Sequence, residues 1–203
     1  MRSILTTSII AFSFALAAPA MAKSRGFDTT VTAPLTSSVK IEVVLSEDMA
    51  HRANNLPKKL SDRSGARGRN SGFAGNGFYG DRDLKRLTER LHAKLEQKFA
   101  KKGIQTSDTA STVLRITIED ARPNRPTFEQ LSNEPSLSFK SFGNGGAELQ
   151  GELIAASGRS LGNMSYKWYE TDIRDAKFGG TWNDAHRAID RFASKAAKTL
   201  SSE

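Results

Sequence analysis

Four stretches of the chain alternate apolar and polar positions with a period of two, the mark of a strand with one buried face. Val39, Ile41, Val43 and Leu45 are interleaved with Lys40, Glu42 and Val44. Leu114, Ile116 and Ile118 are interleaved with Arg115, Thr117 and Glu119, and two prolines at 123 and 126 end that run. Ala147, Leu149, Gly151 and Leu153 face away from Glu148, Gln150 and Glu152. After the turn Ser157-Gly158-Arg159-Ser160, Met164, Tyr166 and Trp168 supply a partner, so 147–169 predicts a hairpin.

Two stretches repeat instead at three and four residues. Leu84, Leu87, Leu91, Leu95 and Phe99 make one stripe, opened by Asp81 and closed by Gly103. Trp182, Ala185, Ile189, Phe192, Ala193, Ala196 and Leu200 make a second, running to the end of the chain. The predicted order is β-α-β-β-β-α. The first helix joins two parallel strands and the hairpin extends the sheet. Each strand has one apolar face and each helix one apolar stripe. The expected fold is therefore an α+β two-layer sandwich, a four-stranded mixed sheet with two helices on one face. The other face carries Lys40, Glu42, Arg115, Glu119, Glu148, Glu152 and Lys167 and stays wet.

The segments between these elements differ in kind. Residues 23–38 are polar and read as an extended lead-in to a single domain over 39–203. Residues 46–60 show no clear pattern. Six glycines fall within 65–80, and that much glycine is costly in a regular element, so 61–80 reads as a mobile loop. Residues 123–146 read as a second loop.

Residues 1–22 are of another character: a cationic start at Arg2, an apolar run over 9–18 and a small-x-small triplet at Ala20-Met21-Ala22. This is the pattern of a secretory signal peptide, with the mature chain expected to begin at Lys23 in a periplasm. No later stretch approaches the roughly 20 apolar residues of a transmembrane helix. With no cysteine in the 203 residues, a disulfide framework, a thiol nucleophile and a lipid anchor on cysteine are all excluded.

Two motifs match known signatures literally, one of a serine nucleophile and one of a dinucleotide site. Gly158-Arg159-Ser160-Leu161-Gly162 fits G-x-S-x-G, yet a nucleophile elbow needs a strand before it and a helix after it, whereas this match lies in a hairpin turn. Gly75-Asn76-Gly77-Phe78-Tyr79-Gly80 fits G-x-G-x-x-G and runs into a helix, but a loop rather than a strand precedes it. His51, His92 and His186 have no metal-ligand spacing. Glu170, Asp172, Asp175 and Asp184 form a loose acidic group that reads as solvated charge. No catalytic residue, metal ligand or cofactor is assigned.

Charge is more informative. The chain has a formal net charge of +8. Residues 52–102 hold 14 Lys or Arg against 5 Asp or Glu, net +9, while the rest of the expected mature chain is net −2. Arg82, Arg86, Arg90, Lys94, Lys98 and Lys102 recur every four residues, a row that drifts about 40° per step around a helix. The bland reading is a solvated, solubilising face. The functional reading makes Arg67, Arg69, Arg82, Arg86 and Arg90 a docking surface for an anionic partner. In a periplasm that partner is expected to be an envelope protein or an anionic envelope component, not nucleic acid.

The leader, the element order and the closing pattern W-x-x-A-x-x-x-I-x-x-F-A-x-x-A from Trp182 to Ala196 together resemble small exported proteobacterial envelope domains of unknown function. Their architecture is similar to that of the amino-terminal domains of TolB and of the curli secretion channel. The chain departs from them in lacking a lipobox cysteine and in its Gly/Arg loop, and the resemblance assigns no functional residue. It implies an assembly or binding module. The leading expectation is a non-catalytic periplasmic domain that binds another envelope component, with anionic lipid, lipopolysaccharide or glycan among the candidates. The alternative is a cell-wall or glycan hydrolase built on loops 61–80 and 123–146. A third reading makes a second copy of the chain its partner.

Overall fold

A computed structural model describes residues 26–63, 72–176 and 179–202. The leader at 1–22 lies outside the described residues, as do Arg67 and Arg69. The fold is α+β, with one mixed sheet. Its strands are β1 (Phe27–Thr29), β2 (Val39–Leu45), β3 (Thr112–Arg122), β4 (Gly146–Ile154) and β5 (Ser160–Tyr169). The described helices are α1 (Glu47–His51), α2 (Asp81–Ala100), α3 (Phe128–Asn133), α4 (Ile173–Ala176) and α5 (Asn183–Leu200).

The strands lie in the order β1-β5-β4-β3-β2, with β2 parallel to β3 and the other pairs antiparallel. The four anticipated strands and the two long helices are all present. Among the described residues the sheet has five strands rather than four, because part of the lead-in pairs with β5: Phe27 lies opposite Tyr166 and Thr29 opposite Met164. Three residues with one apolar side chain carry no periodicity, so only the pairing creates this strand. The short helices α1, α3 and α4 are likewise additions to the expected order.

Both long helices pack on one face of the sheet. Leu84, Leu87, Leu91, Leu95 and Phe99 are all buried, as are Ala185, Ile189, Phe192, Ala193 and Ala196. Across the sheet, Ile41 pairs with Leu114, Leu114 with Leu153 and Ile116 with Gly151. A Cβ on Gly151 would lie 2.8 Å from Ile116 Cδ1 and 3.5 Å from Phe192 Cζ, so this glycine leaves the space that the Phe192 ring fills. Helix α2 closes as the glycine predicts. Gly103 has φ +72°, Ile104 N–H donates to Phe99 O at 3.0 Å and Gly103 N–H to Ala100 O at 3.2 Å.

A register shift between Ile118 and Asp120 leaves Glu119 as the extra residue in β3. Beyond it Ala121 faces the helices, while Asp120 pairs with Glu148 on the open face. There Arg52, buried at the end of α1, makes ion pairs with Asp48, Asp62 and Asp120. Tyr169 Oη donates to Asp120 Oδ2 at 2.5 Å, and Arg122 lies 4.8 Å above the Tyr169 ring. Burial, with Asp120 beside it, pushes the Tyr169 phenol up.

Where glycine content predicts a mobile loop over 61–80, residues 72–80 are packed. Phe73, Ala74 and Tyr79 are buried, and Tyr79 Oη donates to Ala74 O at 2.8 Å. The glycines permit this packing. Gly77 has φ +67°, and a Cβ there would lie 2.1 Å from Asn55 O. Phe78, Tyr79 and Gly80 donate their N–H groups to the carbonyls of Asn55, Arg52 and Ala53.

Candidate functional site

Helices α2 and α5 both begin at one end of the sheet, beside the 123–146 segment, and an open cleft of about 910 Å³ lies there. Buried polar side chains behind its lining tie three stretches of chain together and fix its floor. Asn124 is fully buried. Its Oδ1 accepts from Asp184 N–H at 2.8 Å, and its Nδ2 donates to Asp184 Oδ2 at 2.5 Å and to Gly143 O at 3.2 Å. Gln130 forms a capping box with Thr127 at the start of α3, and its Nε2 donates to Phe73 O at 3.1 Å and Gly77 O at 2.9 Å. Thr127 Oγ1 donates to Phe78 O at 3.1 Å. The two loops singled out by the sequence therefore meet, joined by hydrogen bonds to backbone carbonyls.

The walls carry the charge. Arg86 lies on α2 one turn beyond the helix start, and its side chain is exposed beside the cleft. Arg125 Nη1 donates to Lys140 O at 3.0 Å and Ser141 O at 3.3 Å, with the guanidinium 5.5 Å from the Phe142 ring centroid. Lys140 adds a third cation. The lining carboxylate is Asp83, whose Oδ1 accepts from Trp182 Nε1 at 2.9 Å. Beside these cations stand Phe128, 76% exposed, and Phe139, 77% exposed.

The helical arginines expected to share one surface do not all meet here. Arg82 is exposed at the start of α2 and Arg86 lines the cleft. Arg90 turns into the seam between α2 and α5, where its Nη2 lies 3.8 Å from Asp190 Oδ2, and Lys94 Nζ lies 3.5 Å from Asp190 Oδ1. The 40° drift of a four-residue row causes this divergence. In the same seam, burial and the nearby Arg90 push His186 down to about 4. Arg125, Lys140, Phe128 and Phe139 escaped the sequence reading. The signal available for them was a group of large apolar side chains and cations in a Ser- and Gly-rich stretch without periodicity.

The literal motifs resolve into local structure. Ser160 is exposed at the first position of β5, after a turn in which Gly158 has φ +80°. The Gly75–Gly80 match follows a 3₁₀ turn over Gly72–Gly75 and precedes α2. The acidic residues near α4 are separately engaged: Glu170 with Arg187, Asp172 with Arg174 and Asp184 with Asn124. Among the described residues no three His, Cys, Asp or Glu side chains gather as a metal site, and no helix is long and apolar enough to cross a membrane.

No family model matches the chain, and no curated protein matches it. Among solved structures it is similar to the PelC dodecamer from Paraburkholderia phytofirmans at 12% identity and a TM-score of 0.43, over 88% of this chain and 98% of that one. It is also similar to a minor lipoprotein from Acinetobacter baumannii at 13% identity and a TM-score of 0.29, over 81% of this chain and 91% of that one.

Proposed function

We propose that this chain is a non-catalytic binding module of the cell envelope, exported to the periplasm, and that it takes an anionic envelope component in the cleft between α2 and the 123–146 segment. The observation that carries this reading is the convergence of Arg86, Arg125 and Lys140 on a cleft whose lining carboxylate, Asp83, already accepts a hydrogen bond from Trp182. Cations held around a fixed floor raise the local concentration of an anion and orient it. The floor is held by Asn124 and Gln130, whose bonds are made within the protein. Arg86 and Lys140 then supply the attraction, while Arg125 also shapes the wall.

The test is retention on a soluble polyanion, dextran sulfate, at low and high salt. Binding weakens as the Debye length falls from about 10 Å at 0.1 M to about 3 Å at 1 M. Arg86→Gln with Lys140→Gln lowers retention while Lys98→Gln, on the far half of α2, leaves it near the wild-type level. Equal loss in both variants would reduce the effect to net charge.

A further inference from the structure

The cleft combines its cations with two phenyl rings that the fold does not use. Phe128 and Phe139 are 76% and 77% exposed, although the core buries Phe99 and Phe192 completely. Each ring stands beside the cleft on a backbone fixed from behind. Phe128 opens α3 directly after the Thr127–Gln130 capping box, and Phe139 precedes Lys140, whose carbonyl accepts from Arg125. Resting on the reading of the cleft as an anion site, we infer that the anionic component is the headgroup layer of an anionic lipid bilayer, into which Phe128 and Phe139 insert while Arg86 and Lys140 meet phosphates.

The chemistry of the wall selects this occupant. A phenyl ring has no hydrogen-bonding atom, so it offers a polar ligand no donor or acceptor and gains by leaving water for an apolar layer. An acidic glycan needs hydroxyl and amide groups to read its own hydroxyls. Here the Thr127 hydroxyl already donates to Phe78 O, and the Gln130 amide to Phe73 O and Gly77 O. The exposed rings are flanked by long cationic side chains, the pairing that an interfacial lipid layer satisfies. Lys140 follows Phe139 directly, so its stem can lie along the acyl boundary with the ammonium at the phosphates. Each cation held at an anionic leaflet strengthens binding roughly fivefold. Insertion is shallow, since Phe128 stands at the start of a six-residue helix and Phe139 in the turn that follows it.

Co-sedimentation with vesicles of phosphatidylcholine alone, and with phosphatidylglycerol added, tests this. The wild-type protein binds the anionic vesicles and not the neutral ones. Phe128→Ser with Phe139→Ser lowers that binding by at least about tenfold, yet keeps full retention on dextran sulfate. The variant Phe139→Trp provides a second readout: its emission, after subtraction of the wild-type signal, shifts to the blue on anionic vesicles and not on neutral ones. Vesicle binding unchanged in the double-Ser variant, or no such shift in the Phe139→Trp variant, overturns the lipid assignment and leaves the anion site standing. A wild-type protein retained by dextran sulfate but not by vesicles points to an acidic glycan instead and also overturns it. A wild-type protein that binds neither probe removes the anion site together with the inference.

Discussion

Trp182 Nε1 donates to Asp83 Oδ1 at 2.9 Å across 99 residues of sequence, joining the start of α5 to the first turn of α2. The indole also meets the Tyr79 ring edge-on, with centroids 5.6 Å apart. One side chain thus holds the two helices and the packed glycine segment together. Trp182→Phe keeps most of the ring and removes the donor, leaving Asp83 without it. The expected cost is about 1–3 kcal/mol. Chemical denaturation measures it, and a loss below about 0.5 kcal/mol would mean that the bond is replaced by water without penalty.

Gly77→Ala separates a packed segment from a loose one. The added methyl meets Asn55 O in a conformation with φ +67°, so the backbone must move at a point where three backbone hydrogen bonds join 78–80 to 52–55. The expected loss exceeds about 2 kcal/mol. If the segment were mobile, the substitution would be close to neutral, and a thermal or denaturant melt distinguishes the two.

Phe192→Ala empties the space beneath Gly151 at the centre of the core. Phe192 is fully buried, and its ring also lies 6.1 Å from that of Phe27. A loss of about 3–5 kcal/mol is expected. Because Phe27 belongs to β1, protection of the β1 and β5 amides in hydrogen exchange should fall more than protection of the β2 amides.

The α2–α5 seam makes stability depend on pH through His186. Arg90 faces this histidine from α2 and Asp190 from its own helix, with Lys94 also reaching Asp190. Burial is the first cause and Arg90 the second of a pKa lowered from 6.5 to about 4. The folded protein therefore holds His186 neutral where the unfolded chain protonates it. Stability from this group is complete above about pH 6.5 and is lost as pH falls toward 4. Because the ring is only partly shielded, the expected contribution is about 1 kcal/mol after screening. His186→Asn should flatten the pH profile between 6.5 and about 4 relative to wild type. Parallel profiles for the two proteins would show that other groups carry the acid sensitivity.

The main frame was legible because its side chains are large and regularly spaced. Val39 to Leu45 and Leu84 to Phe99 each satisfy a single period over several repeats, and burial rewards that period directly. Strand β1 was not legible, since Phe27 alone supplies its apolar contact and β5 supplies its geometry. Helix α3 did leave a trace, the T-x-x-Q of its capping box, which is short enough to pass for loop chemistry. Glycine content alone does not predict the packing of 72–80, because the contacts of Phe73, Ala74 and Tyr79 offset the backbone entropy. At the site, charge counted along 52–102 led to Arg86. It passed over Arg125 and Lys140, which join Arg86 only after Asn124 and Gln130 draw the loops together.

The edge strand has a further consequence for the order in which the molecule assembles. Its partners are residues 164–166 of β5, and in the same lead-in Leu35 N–H donates at 2.9 Å to the carbonyl of Leu200, the last residue of α5. Closing these contacts requires loops that span most of the chain, the kind of closure that slows folding. Among the described strands, the first in the chain is thus the last to find a partner. The edge of β5 stays open until β1 pairs with it, and Leu35 finds Leu200 only once α5 is present, so a chain truncated before residue 160 should leave 27–35 fully accessible to protease.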